Sequence, residues 1–168
     1  MQVLLIAATG LQVANTLSGS FNQSSAIESK GEFQSSQFLT QARLSDLAAR
    51  SAETRGKEES EESKAKTKTL IGRQRAAMAA QGIDIGSGSA LEIQLETAGL
   101  GAVDALTIKN NAFKEATGYR IEAIDYRQQA GLTSSSASNQ ARNTILTGGL
   151  TAASQVAQGA SAFNKITT

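Results

Sequence analysis

The chain has 168 residues, with 16 basic and 15 acidic side chains, a net charge of +1, and no Pro, Cys, His or Trp. Without Cys or His it can build no disulfide, no thiolate nucleophile, no Ser-His-Asp arrangement and no zinc site of the usual type. Near-neutrality gives no general pull toward nucleic acid, and no charged side chain occurs from Met1 to Ile27 or from Asn143 to Asn164.

The absence of Pro removes the strongest helix breaker. Ala is the commonest residue, Leu and Gln are frequent, and only seven residues are aromatic (2 Tyr, 5 Phe). The predicted fold is all-α: an elongated antiparallel helical hairpin with flanking terminal helices. So little bulky material makes a weak core, so completion by oligomerisation is expected.

Residues 2–17 read as a short helix of small and apolar residues. No Lys or Arg precedes Val3-Leu4-Leu5-Ile6-Ala7-Ala8, so the basic start of a signal peptide is missing. Residues 19–31 are rich in Ser, Asn and Gln and read as a joint, closing an N-terminal segment over 1–31 that is uncharged as far as Ile27.

The first long helix is predicted over about 32–81. It opens with an apolar face of Phe38, Leu39, Ala42, Leu44, Leu47 and Ala48. Its centre is charged. Glu53 with Lys57, and Glu62 with Lys66, are spaced for i, i+4 pairs. Glu58, Glu59, Glu61 and Glu62 lack apolar surroundings and read as a solvated face, not a metal or acid-base cluster. Lys64, Lys66, Lys68, Arg73 and Arg75 have no interleaved aromatics, so any DNA contact would be non-specific and through the backbone.

Gly82 is the predicted helix stop, with Ile83 folding back on Met78. The turn runs through Gly86 and Gly88. Ser89 and Glu92 then match a capping box. No strand precedes the glycines and no Lys follows them, so the turn is not a phosphate cradle.

The second long helix is predicted over about 90–130. Leu91, Leu95, Ala98, Ala102, Ala105, Ala112, Ala116, Tyr119, Ala123, Tyr126 and Ala130 form a heptad seam, broken by Lys109. This alanine-rich seam is the expected oligomer interface. Val103, Leu106, Ile108, Phe113, Ile121 and Ile124 widen the apolar surface past one stripe. Gly131 is expected to close the helix, making 32–131 one charged hairpin with its turn at 82–89. A Ser-rich linker at 133–138 and a small-residue helix over about 139–163 complete the segment 132–168.

Two readings of the ends stay open. They pack against neighbouring subunits, or they enter a membrane conditionally, with Leu4, Leu5, Ile6, Ala8, Leu150, Ala152 and Val156 as the lipid-contacting residues. A constitutive span is not expected. It needs about 20 apolar residues, and Gln12, Asn15, Ser18, Asn143, Gln155 and Gln158 interrupt.

One resemblance adds to these readings. Ile71-Gly72-Arg73-Gln74-Arg75-Ala76-Ala77-Met78-Ala79-Ala80-Gln81-Gly82, the turn Gly86-Ser87-Gly88-Ser89, and 105–132 with Asn111-Ala112-Phe113-Lys114-Glu115-Ala116 and Tyr119-Arg120 are together similar to the small internal virion, or ejection, proteins of short-tailed bacteriophages. The resemblance implies a structural role and no enzyme activity or cofactor. The implied location is the virion interior above the portal, beside larger ejection proteins and other copies of the chain. After ejection it implies the host envelope, where such proteins help form a conduit for the genome. No catalytic residue carries over. The alternative is a helical adaptor or scaffold subunit of a phage particle or secretion-type assembly, with no membrane role.

Overall fold

A computed structural model describes residues 2–166, with side chains over 10–161. The fold is all-α. Helix α1 spans Gln2–Ala80 and helix α2 spans Gly88–Ile166. Two predicted interruptions are corrected. The joint at 19–31 lies inside α1, and the linker at 133–138 lies inside α2. The expected boundaries at 31/32 and 131/132 are therefore not helix ends.

Several hydroxyl residues are accommodated in the helices with their side chains bonded back to the preceding turn. Ser20 donates to the Thr16 carbonyl, Ser24 to Phe21 and Thr144 to Gln140. These bonds satisfy the short polar groups without diverting the backbone.

The chain divides into two compact units, Met1–Gln41 with Tyr126–Thr168, and Ala42–Asp125. In the first, the former joint and linker face each other. A Cβ placed on Gly31 would collide with the Ala137 methyl, and one on Gly148 would collide with Ser20. Thr16 donates to Gln155 at 3.3 Å. Of the residues that read as breakers, Gly31 and Ser20 are close-approach positions where packing outweighs weak helix propensity, whereas Gly19 and Gly131 have open space where a Cβ would be.

In the second unit, α1 and α2 run antiparallel. Gly56 faces Ala112 and Gly101 faces Thr67, and each pair of numbers adds to 168. The Gly31–Ala137 and Gly148–Ser20 pairs of the first unit add to the same value. Each unit thus keeps one constant register.

On α2 of the second unit, the inward positions Ala90, Gly101, Ala112 and Ala123 recur every eleven residues. An eleven-residue period averages about 3.67 residues per turn and a heptad 3.5, on either side of the α-helical 3.6. Opposite this stretch, Ala42, Ala49 and Gly56 on α1 recur every seven, and Gly56, Thr67 and Met78 every eleven.

Candidate interaction surface

The second unit is joined through small side chains. Ala49, Ala52 and Ala116 are buried together, with Tyr119 packed on them. Ser60 is fully buried and donates to the Ala105 carbonyl at 3.0 Å. Near the turn, Gln74 Nε2 donates to Thr97 Oγ1 at 3.2 Å, while Gln74 Oε1 is buried with no partner.

Two ion pairs bridge the helices on opposite sides of this seam. Arg55 pairs with Glu115 at 2.5 Å, and Arg120 with Glu53 at 2.6 Å. The hydrogen bond to Glu115, then its charge, holds the Arg55 proton more tightly than usual. Glu53 therefore pairs across the helices and not with Lys57. Glu62 does pair with Lys66 at 2.8 Å, and Glu61 with Lys64 at 2.8 Å. Each lysine holds its glutamate below the usual carboxylate range, chiefly by the hydrogen bond. Two lysines of the basic stretch are thus matched locally by acids. Among the described residues, no group of acidic side chains could hold a metal ion.

The turn has Gly82 at φ +74° and Gly88 at φ +60°. The Ile83 N–H donates to the Met78 carbonyl at 3.1 Å and the Gly82 N–H to Ala79 at 3.0 Å, the pair of bonds that closes a Schellman ending. The hydrogen bonds that organise the turn go through Asp84, not the predicted box of Ser89 and Glu92. Asp84 accepts from the Gly86 N–H at 2.9 Å and the Ser87 hydroxyl at 2.7 Å. Those two bonds, the Gly86 one first, hold its carboxyl below the usual range. Gln94 then reaches back to the Ile85 carbonyl at 3.1 Å.

The predicted heptad seam splits. Ala105, Ala112, Ala116 and Ala123 are buried, with Tyr119 partly buried, and the face they form meets α1 of the same chain. That part of the expected oligomer seam is spent within the chain. Leu91, Leu95, Ala98 and Ala102 are exposed. In their stretch the inward positions are Ala90, Gln94, Thr97 and Gly101. The eleven-residue steps move the seam one residue earlier than a heptad reading places it.

The large apolar side chains point outward. Leu44, Leu47, Leu95, Leu100, Val103, Leu106, Phe113, Ile121 and Ile124 are all exposed in the second unit. Sequence reasoning gives Val103, Leu106, Phe113, Ile121 and Ile124 a supporting place beside the alanine seam, sets Leu95 in the seam and Leu44 and Leu47 on an apolar face of the first helix, and passes over Leu100. Their outward majority is the dominant surface feature.

In the first unit, Leu150 and Val156 are exposed and Ala152 is buried, so Ala152 is a contact within the chain. The side chains of Leu4, Leu5, Ile6 and Ala8 lie outside the described residues. Among the described residues, no helix is long and apolar enough to cross a membrane.

Open grooves of about 550, 330 and 390 Å³ lie beside the close approaches at Gly31, Gly56 and Gly148. They follow from small residues that leave the flanks of the seam unfilled. Compared with known proteins, the chain matches no family model, no curated protein and no solved structure.

Proposed function

We propose that the chain is a structural subunit of a larger assembly, specifically an internal virion protein that helps form a conduit for genome delivery across a host envelope. The observation that carries the reading is the inversion of apolar burial. Alanine, glycine and serine fill the seam, while leucine, isoleucine and phenylalanine face outward. A buried methyl contributes about 0.8 kcal/mol, whereas covering a Leu or Phe contributes roughly 1.5–3 kcal/mol. The larger part of the available apolar stabilisation is therefore released only when neighbours cover the outside. Exposed apolar surface of this extent marks contact with protein or membrane.

The specific role rests on the resemblance over Leu70–Leu132 and on the charge-free ends. Its partners would be other copies of the chain and larger ejection proteins near the portal. Contact with DNA would be non-specific. Liposome leakage tests the envelope role. The full chain should bind vesicles and release an entrapped dye.

The alternative, a helical adaptor or scaffold without membrane role, has its own observation. The uncharged ends pair with each other, through the Thr16–Gln155 hydrogen bond and Ser20 against Gly148. Vesicles left unbound and intact would favour this second reading.

A further inference from the structure

On α2, Leu95, Leu106, Phe113 and Ile124 are 63%, 59%, 60% and 50% exposed. They are separated by eleven, seven and eleven residues. At 3.6 residues per turn, these steps drift by about +20°, −20° and +20°, so the four side chains share one line. The spacing is palindromic. Leu95 with Ile124, and Leu106 with Phe113, have one midpoint, between Lys109 and Asn110.

Helix α1 carries a matching pattern on the same face. Phe113 shares a groove with Glu53 and Lys57, and Arg120 pairs with Glu53. Glu53, Lys57, Glu61 and Lys64 then follow one another along that side of α1, spaced by four, four and three residues. In the register where paired numbers add to 168, the α2 midpoint lies opposite the point between Glu58 and Glu59. Glu53 and Lys64 are symmetric about that same point, and Lys57 and Glu61 nearly so.

A two-fold interface requires this property: if residue i meets residue j, then j meets i. We propose that this face of the second unit binds a second copy of the chain, through a two-fold axis crossing α2 between Lys109 and Asn110 and α1 between Glu58 and Glu59. Leu106 then packs on the second copy's Phe113, and Leu95 on its Ile124. Glu53 meets the second copy's Lys64, and Lys57 its Glu61. An unrelated partner would require no palindrome on α2, and here the oppositely charged Glu53 and Lys64 of α1 are centred on the same axis.

The size also fits. From Leu95 to Ile124 the stripe is about 44 Å long at 1.5 Å per residue. Two helices about 9 Å apart give a footprint of roughly 800 Å² per copy, the standard size for a stable interface. The inference stands independently of the virion reading, because it needs only the second unit's surface.

The test is sedimentation equilibrium of the full chain, with crosslinking to fix the register. Wild type should be dimeric or a multiple of dimers. Leu106→Glu combined with Phe113→Glu should weaken association by about a hundredfold or more, since two central apolar anchors are lost. Its far-UV circular dichroism should be unchanged, because both residues are exposed. The chain has no native Cys, so introduced thiols report cleanly. Leu106→Cys with Phe113→Cys should oxidise to a covalent dimer. Leu106→Cys alone should not, because two such thiols would lie about 10 Å apart along the helices, beyond disulfide reach. A monomeric wild type would overturn the proposal. So would an unaffected Glu variant, or crosslinking by the single Cys as readily as by the pair.

Discussion

Gly56 on α1 lies directly across from Ala112 on α2, so close that a Cβ on Gly56 would fall within the Ala112 methyl group. Glycine is used here for backbone approach, although it weakens the helix that carries it. Gly72, on the same helix, has open space where its Cβ would be. The two positions should respond oppositely to alanine. Gly72→Ala should stabilise by up to about 1 kcal/mol through helix propensity. Gly56→Ala should destabilise by about 1–3 kcal/mol through overpacking. Thermal melts read both, and equal gains from the two would show that the helices are not held at Gly56.

The turn gives a second expectation. Gly82 has φ +74° with open space around it, so the cost of a side chain there is conformational and not steric crowding. Gly82→Val should destabilise by about 1–2 kcal/mol. Circular dichroism melts measure it, and an unchanged midpoint would remove Gly82 as the helix stop.

Gln74 offers a stabilising change. Its Oε1 is buried with no partner, a cost of roughly 1–3 kcal/mol, while a typical hydrogen bond such as that of Nε2 to Thr97 contributes about 1 kcal/mol. Thr97 keeps its own bond to the Ile93 carbonyl at 2.8 Å. Gln74→Leu should therefore raise the melting midpoint. A clear fall would mean that the amide is better satisfied than the geometry indicates.

Much of this arrangement was legible beforehand, and the failures have one physical origin. Absent Pro and abundant helix formers indicated the all-α class, and Gly82 with Ile83 marked the stop. Gly19, Gly31 and the serines of 133–138 read as breaks because propensity is local. Gly31 is helical because Ala137 packs on it, and a partner 106 residues away leaves no local sign. A heptad repeat places the α2 seam one residue late between Leu91 and Ala102. The eleven-residue recurrence of Ala90, Gly101, Ala112 and Ala123 was the available signal. Large leucines outside and small Gly and Ala inside reverse the usual order of burial, which masks that recurrence.

Acid should loosen the turn and the charged centre of α1. Asp84 is held below its ordinary range by the Gly86 N–H and the Ser87 hydroxyl. Glu61 and Glu62 are lowered by Lys64 and Lys66. For a depressed folded-state value, the stabilisation is present above the unfolded value, near 4 for these groups, and is lost as pH falls through the folded one. The groups are on the surface, so the loss should be modest. Melting midpoints should decline below about pH 4, and Asp84→Asn should make that decline shallower. An equally steep decline in the variant would show that Asp84 does not carry the effect.

The virion reading is tested most directly by locating the chain before and after genome delivery. On that reading, phage particles containing the chain are immunogold-labelled, intact and after ejection, and the infected-cell envelope is probed with the same antibody. Particles carrying Leu150→Asp provide the second arm, because Leu150 is 74% exposed. The Asp should be tolerated in the particle but cost roughly 2.5–3.5 kcal/mol per copy at a bilayer centre. The account predicts label inside filled particles, loss of label from emptied ones, recovery in the envelope fraction, and poor genome delivery by Leu150→Asp. Label missing from particles, or retained in them after ejection, would contradict it.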